Sequence, residues 1–203
     1  MSNLSKDIDK LRHKYREIFL KVSEEIKLQI EQTPPENLQK LLNEDIPKEI
    51  HRKWMQMYAY RDNFECVGCA TCCKLACSEF TYEELKQKAQ NGDNFATQFI
   101  GIFIPYENEN EPPKIYPGYF ELLHKKLEGE KVYFYHCPKL SAENRCCDYE
   151  NRPQICRDFP DNPLSLLPAS CGFAKWKAEV EPTALMLHSM LEILGFYKEK
   201  LNG

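Results

Sequence analysis

Hydrophobic positions near the N-terminus recur at steps of three and four: Leu4, Ile8, Leu11, Tyr15, Ile18, Val22, Ile26 and Ile30. Charged residues fill the other faces, and this period predicts one amphipathic helix over residues 1–32. Such a helix is either a coiled-coil arm that takes a protein partner or a helix packed on its own domain. Thr33-Pro34-Pro35-Glu36 offers a hydroxyl cap, prolines for a first turn and a carboxylate, so a short helix follows through Leu42. Pro47 starts another, running through Trp54 to about Tyr60. Further on, Thr81-x-x-Glu84 is a capping box for a helix that stops at Asn91-Gly92. Asp93 caps the next, which buries Phe95, Phe99, Ile102 and Phe103. Residues 105–118 are polar and proline-rich, a surface loop. A helix follows over Tyr119 to Lys126, and Lys131 to His136 is β-branched and aromatic, the best strand candidate. A short helix is expected around Pro153 to Asp158. A closing helix is expected over Pro182 to Leu201, with Leu185, Met186, Met190, Leu194, Tyr197 and Leu201 inward.

Composition adds limits. The 203 residues are 42% hydrophobic and 12% aromatic, enough for a real core. With 27 basic and 31 acidic residues the net charge is −4, so no basic field advertises nucleic acid. No apolar run approaches the roughly eighteen residues of a membrane span. The opening MSNLSKDIDKLRHKYR lacks the apolar stretch of a secretory signal. The expectation is a soluble, cytoplasmic protein without a nucleic-acid or membrane partner.

The cysteines change the question. All ten fall in two blocks: Cys66, Cys69, Cys72, Cys73 and Cys77, then Cys137, Cys146, Cys147, Cys156 and Cys171. Disulfides in a leaderless chain would be reduced. Thiols clustered at short intervals in such a chain predict metal ligands. Two cysteines separated by two residues can direct both sulfurs to one ion within a compact turn. Cys72 and Cys73 are adjacent, so their side chains diverge and they chelate one ion awkwardly. Either they serve two sites, or one binds and the other packs. If Cys66, Cys69, Cys72, Cys73, Cys137, Cys146, Cys156 and Cys171 all bind, they suffice for two four-thiolate sites. Alternatively, four hold one cluster and the rest are structural. His136, beside Cys137, reads as a structural histidine ending a strand.

Here the motifs meet a known pattern. CVGCATCC resembles the Cys-x-x-Cys-x-x-Cys-Cys signature of the YkgJ-like cysteine-cluster family, to which zinc or iron chelation is ascribed. Cys137-Pro138-Lys139-Leu140 is similar to that family's Cys-Pro-x-Leu element. Cys146, Tyr149, Arg152-Pro153, Cys156-Arg157 and Phe159-Pro160 match its second motif. In this register Cys77 and Cys147 are extra, Asp148 departs from an aliphatic position, and Cys171 matches a last family cysteine. The resemblance covers residues 62–175 and implies metal chelation. Arg152 and Arg157 are candidates to offset thiolate charge beside the cofactor.

The expected fold is mainly α: helices around a loop-rich, cysteine-cluster metal-binding core with at most a minor strand or hairpin. The expected organisation is an N-terminal helical region (1–61), a cysteine-cluster domain (62–175) and a closing helix (176–203). Knuckle-like spacing favours zinc. The Cys66, Cys69, Cys72 run, which begins like a bacterial ferredoxin segment, favours iron or an iron–sulfur cluster. Three functions follow: a metal-binding module, an iron–sulfur redox enzyme or electron carrier, and a thiol redox or metal-transfer protein using Cys77 and Cys147. No Gly-rich phosphate loop, Ser/His/Asp arrangement or paired-carboxylate site stands out, so the sequence names no reaction.

Overall fold

The structure is a computed structural model that describes residues 3–126 and 131–202, with side chains over 13–121 and 131–200. Leu4, Ile8 and Leu11 of the first predicted helix and Leu201 of the last therefore lie outside the described side chains. In chain order the first elements are α1 (Asn3–Gln32), α2 (Pro35–Lys40), a π-helical turn (Leu41–Asp45), α3 (Ile46–Arg61), α4 (Thr71–Lys74) and β1 (Ala76–Ser78). Then come α5 (Tyr82–Gln90), α6 (Asn94–Ile100), β2 (Ile104–Pro105), α7 (Pro112–Ile115) and α8 (Pro117–Lys126). The last are β3 (Tyr133–His136), α9 (Gln154–Asp158) and α10 (Ala174–Asn202). The protein is mainly α, with one small antiparallel sheet among the described residues. Two compact units form: one from the chain through Glu65 together with Lys175 onward, the other from Cys66–Ala174.

The first unit is helical. α1 buries Val22 and Ile26, and Tyr15 donates to Glu192 of α10 at 2.8 Å. α3 starts at Ile46, one residue ahead of the predicted Pro47, and no break separates it from α2. The Ile46 N–H reaches back to the Leu41 carbonyl across the π turn. Pro47 has no N–H, and its ring would press on the carbonyl one turn earlier. A widened turn absorbs that mismatch while Leu42, Ile46 and Ile50 stay buried.

α10 starts at Ala174, ahead of the predicted Pro182, which lies inside the helix. The reason is burial. Trp176, Val180, Ala184 and Leu187 are buried, and the Trp176 indole N–H donates to the Met57 carbonyl at 3.0 Å. Burying one large apolar side chain is worth about 1.5–3 kcal/mol. Several together outweigh the roughly 3 kcal/mol of a mid-helix proline. Leu185 and Leu194 are buried as expected, while Met186, Met190 and Tyr197 are only half-buried.

The second unit is built on β3, the predicted strand, which runs between β1 and β2. Ala76, Cys77 and Ser78 pair with Tyr135, Phe134 and Tyr133, and Ile104 pairs with His136. Tyr135 is fully buried among Leu85, Ala96, Phe99 and Phe103, and its hydroxyl donates to the Phe80 carbonyl at 2.7 Å. The Thr81–Glu84 capping box forms in both directions, at 3.2 and 2.8 Å. Asp93 caps α6 by accepting from the Ala96 N–H at 2.9 Å. That cap sets the helix rotation, turning Ala96 and Phe99 inward. Phe95, expected in the core, is 52% exposed and lies against the Phe99 ring. The predicted loop over 105–118 is interrupted by the short α7, where Pro112 and Pro113 open a turn.

Candidate metal centre

Cys66 and Cys69 lie on irregular backbone between α3 and α4. Gly68 (φ +73°) and Ala70 (φ +61°) bracket Cys69 in the left-handed region. For an alanine this conformation costs about 1–2 kcal/mol. The Ala70 carbonyl accepts from the Cys73 and Lys74 N–H groups at 3.1 and 2.9 Å. That seats the single turn α4, which carries Cys72 and Cys73.

The second block reaches this turn through backbone. The Cys137 N–H donates to the Cys73 carbonyl at 2.7 Å. Beyond Cys137 the chain doubles back through a Leu140–Cys146 bridge, closed by the Cys147 N–H to the Lys139 carbonyl at 2.9 Å. Asn144, at φ +64°, turns that corner. Cys156 follows Pro153, whose carbonyl accepts its N–H at 3.0 Å. Its helix α9 is tied to α6 where Gln98 accepts from the Ile155 N–H at 3.1 Å. The Cys171 N–H donates to the Pro168 carbonyl at 2.9 Å.

The sulfurs sense one another. The neighbouring Cys73 thiol and burial push the Cys72 thiol up, as do the charges of Cys66 and Cys69. Cys72 in turn pulls the Cys73 thiol down against burial, with help from the Arg152 guanidinium. Cys171 is raised by burial and by the neighbouring Cys69 and Cys66, while the Phe173 N–H works the other way. Cys137 is raised by burial and partly offset by the Lys139 N–H, with Cys73 and Cys146 adding to the rise. Burial and then Cys73, Cys137 and Cys146 push Cys156 up to about 11, while Arg152 opposes them.

All ten cysteines are free thiols. Among the described residues no three His, Cys, Asp or Glu side chains already converge on a point one ion wide. The donor set nevertheless fits a soft metal. It is all sulfur, it is gathered from both blocks, and backbone amides are directed at Cys137 and Cys171.

Arg152 stands 3.6 Å over the Tyr149 ring and donates to the Tyr149 carbonyl at 3.0 Å. Arg157 donates to the Arg152 carbonyl at 2.5 Å and so braces that arginine. Cys77 sits in β1 opposite Phe134, with burial pushing its thiol up. Cys147 is exposed. The His136 ring lies 4.7 Å from that of Tyr106. An open cleft of about 310 Å³ is lined by Cys73, Lys74, Tyr106, His136, Cys137 and Asn144, among others.

Sequence reasoning passed over Tyr119. It donates to the Leu166 carbonyl at 2.9 Å. Burial, and then the charges of Cys77, Cys72, Cys171 and Cys69, raise its hydroxyl well above the usual phenol range. It reads in sequence only as the start of a helix, because no spacing rule links it to the thiols. The amides at Lys139 and Phe173 carried a fainter signal: each lies two residues beyond its cysteine.

Residues 65–180 match the profile of CxxCxxCC, described as a "putative zinc- or iron-chelating domain". The chain belongs to the CxxCxxCC family. The matched CxxCxxCC segment takes in both cysteine blocks and every cysteine discussed above. Comparison with curated proteins and with solved structures returned no match. Among the described residues no helix is long and apolar enough to cross a membrane.

Proposed function

We propose that the protein chelates zinc or iron through Cys66, Cys69, Cys72 and Cys171 together with Cys73, Cys137, Cys146 and Cys156. The observation that carries this reading is the meeting of the two distant cysteine blocks at one short turn, where the Cys137 N–H donates to the Cys73 carbonyl, in a chain of a family described as zinc- or iron-chelating. A bound ion supplies what this loop-rich backbone otherwise lacks, a rigid crosslink. Four thiolates on a divalent ion leave about −2, and Arg152, whose charge already reaches Cys73 and Cys156, offsets part of it. Ten free thiols suit a reducing compartment, so the reading takes the cytoplasm as its setting.

A second reading, an iron–sulfur redox centre, is favoured by the cleft that opens onto Cys73 and Cys137. A redox partner or substrate needs such an approach. The thiol-exchange reading draws support from exposed Cys147 alone, since burial disfavours the Cys77 thiolate.

Anaerobic purification followed by elemental analysis and an absorption spectrum tests the proposal. Zinc in a colourless protein supports the structural reading. Brown material that bleaches in air supports iron–sulfur. Folded protein with neither metal overturns both.

A further inference from the structure

The cleft beside β3 lies wholly within the cysteine-bearing unit, and its walls hold side chains that chelation leaves unused. Its space of about 310 Å³ matches that of about ten waters, at the small end of ligand sites. Part of the wall is apolar: Ile115, Leu140 and the rings of Tyr106 and His136, whose centroids lie 4.7 Å apart. Backbone holds both rings in place. The Tyr106 hydroxyl donates to the Lys74 carbonyl at 2.5 Å, tying the chain after β2 to α4. His136 is held by its pairing with Ile104 in the sheet.

The polar part of the wall is short of partners. Lys74 is half-buried, and among the described residues no carboxylate pairs with its ammonium. A half-buried cation without a counter-charge carries a desolvation cost that a bound anion relieves. The Asn144 carboxamide, on the left-handed corner at φ +64°, makes no hydrogen bond to a described residue and has donors to offer. Glu111 limits the charge that fits. Its carboxylate is close enough to act on the Tyr106 phenol, so a second negative charge on a ligand meets repulsion.

We propose that this cleft binds a small organic monoanion, a carboxylate whose charge meets Lys74 and Asn144 and whose apolar body lies against Tyr106, His136 and Ile115. None of the recognising groups is a cysteine, so the proposal stands apart from the chelation reading.

Benzoate serves as the probe, titrated into the full chain as purified and followed by NMR of the Tyr106 and His136 rings. For so open a site the expected Kd is about 0.1–1 mM. Benzamide, the same shape without the charge, should bind about tenfold more weakly. Acetate, the charge without the ring, should also bind more weakly, as should the dianion phthalate. Lys74→Gln should weaken benzoate about tenfold and leave benzamide where it was. Ile115→Ala should weaken both. Lys86→Gln, at a lysine already paired with Glu83, should change neither.

The proposal is overturned by benzoate that binds no better than benzamide, that binds Lys74→Gln equally well, or that leaves the two rings unmoved. Phthalate binding as tightly as benzoate would overturn the limit to one charge. The comparison of benzoate with benzamide uses the unmodified chain, so it does not depend on any variant folding. Folded protein without metal that still binds benzoate would remove the chelation reading and leave this one standing. Metal-loaded protein indifferent to benzoate would do the reverse.

Discussion

Cys77 stands in a strand, not on the turn that carries Cys72 and Cys73. It lies opposite Phe134 in the sheet, and its thiol is pushed up without a cation to oppose the shift. In the family's motif register Cys77 and Cys147 are the two extra thiols. Cys77→Ala and Cys147→Ser should therefore leave bound metal unchanged by elemental analysis, whereas Cys69→Ser and Cys156→Ser should each lower it. Equal loss in all four variants would defeat the ligand assignment. At this scale the sequence was legible where chemistry follows from covalent spacing, as in Cys66-x-x-Cys69. It was silent where chemistry depends on packing. Nothing in the order of residues distinguishes Arg152, whose charge reaches the thiols, from Arg157, which donates to the Arg152 carbonyl. Tyr119 was hidden for the same reason: its hydroxyl meets Leu166 and the sulfurs only after the loops close.

Among the helices, local signals were read well and remote ones poorly. Thr81 and Glu84 cap α5 because all the atoms involved lie within one turn of chain. The beginning of α10 could not be read that way. The rule that prolines open helices pointed to Pro182, but buried Trp176 and its bond to the Met57 carbonyl extend the helix back to Ala174. Pro182 then sits at an exposed interior position with one backbone bond missing. Replacing it with alanine restores that bond and removes the ring clash. Pro182→Ala should stabilise the protein by about 1–2 kcal/mol in urea unfolding, less than the full proline penalty because the unfolded chain gains freedom. A destabilised variant would mean the helix depends on the irregularity. The π turn before Pro47 is the same lesson in another form: the chain keeps its helix and alters the winding.

For the molecule as a whole, the helical unit has an apolar core of its own around Leu42, Trp176 and Leu187. The cysteine-bearing unit has a smaller core around Tyr135, and long stretches of it have no regular structure. Metal binding stabilises only the fold that holds the ligands. Under reducing conditions, scanning calorimetry of the metal-loaded protein should resolve a transition that falls by about 10 °C or more when a strong chelator is added. A second transition, belonging to the helical unit, should not move. A thermogram indifferent to chelator would count against a structural role for the ion. The mainly helical class was legible from periodicity. The flanking strands were not, because β1 and β2 are only three and two residues long and exist through pairing with β3.

The bond from the Cys137 amide to the Cys73 carbonyl has a consequence for biosynthesis. On the ribosome the leading thiols emerge well before their partners, and at roughly 5–20 residues per second they wait several seconds for them. During that interval no complete chelating group exists, and Cys72 and Cys73 stand side by side with nothing to occupy them. On the proposed chelation reading, maturation needs surroundings that keep nascent sulfur reduced and an ion supply that arrives after Cys171 has been made.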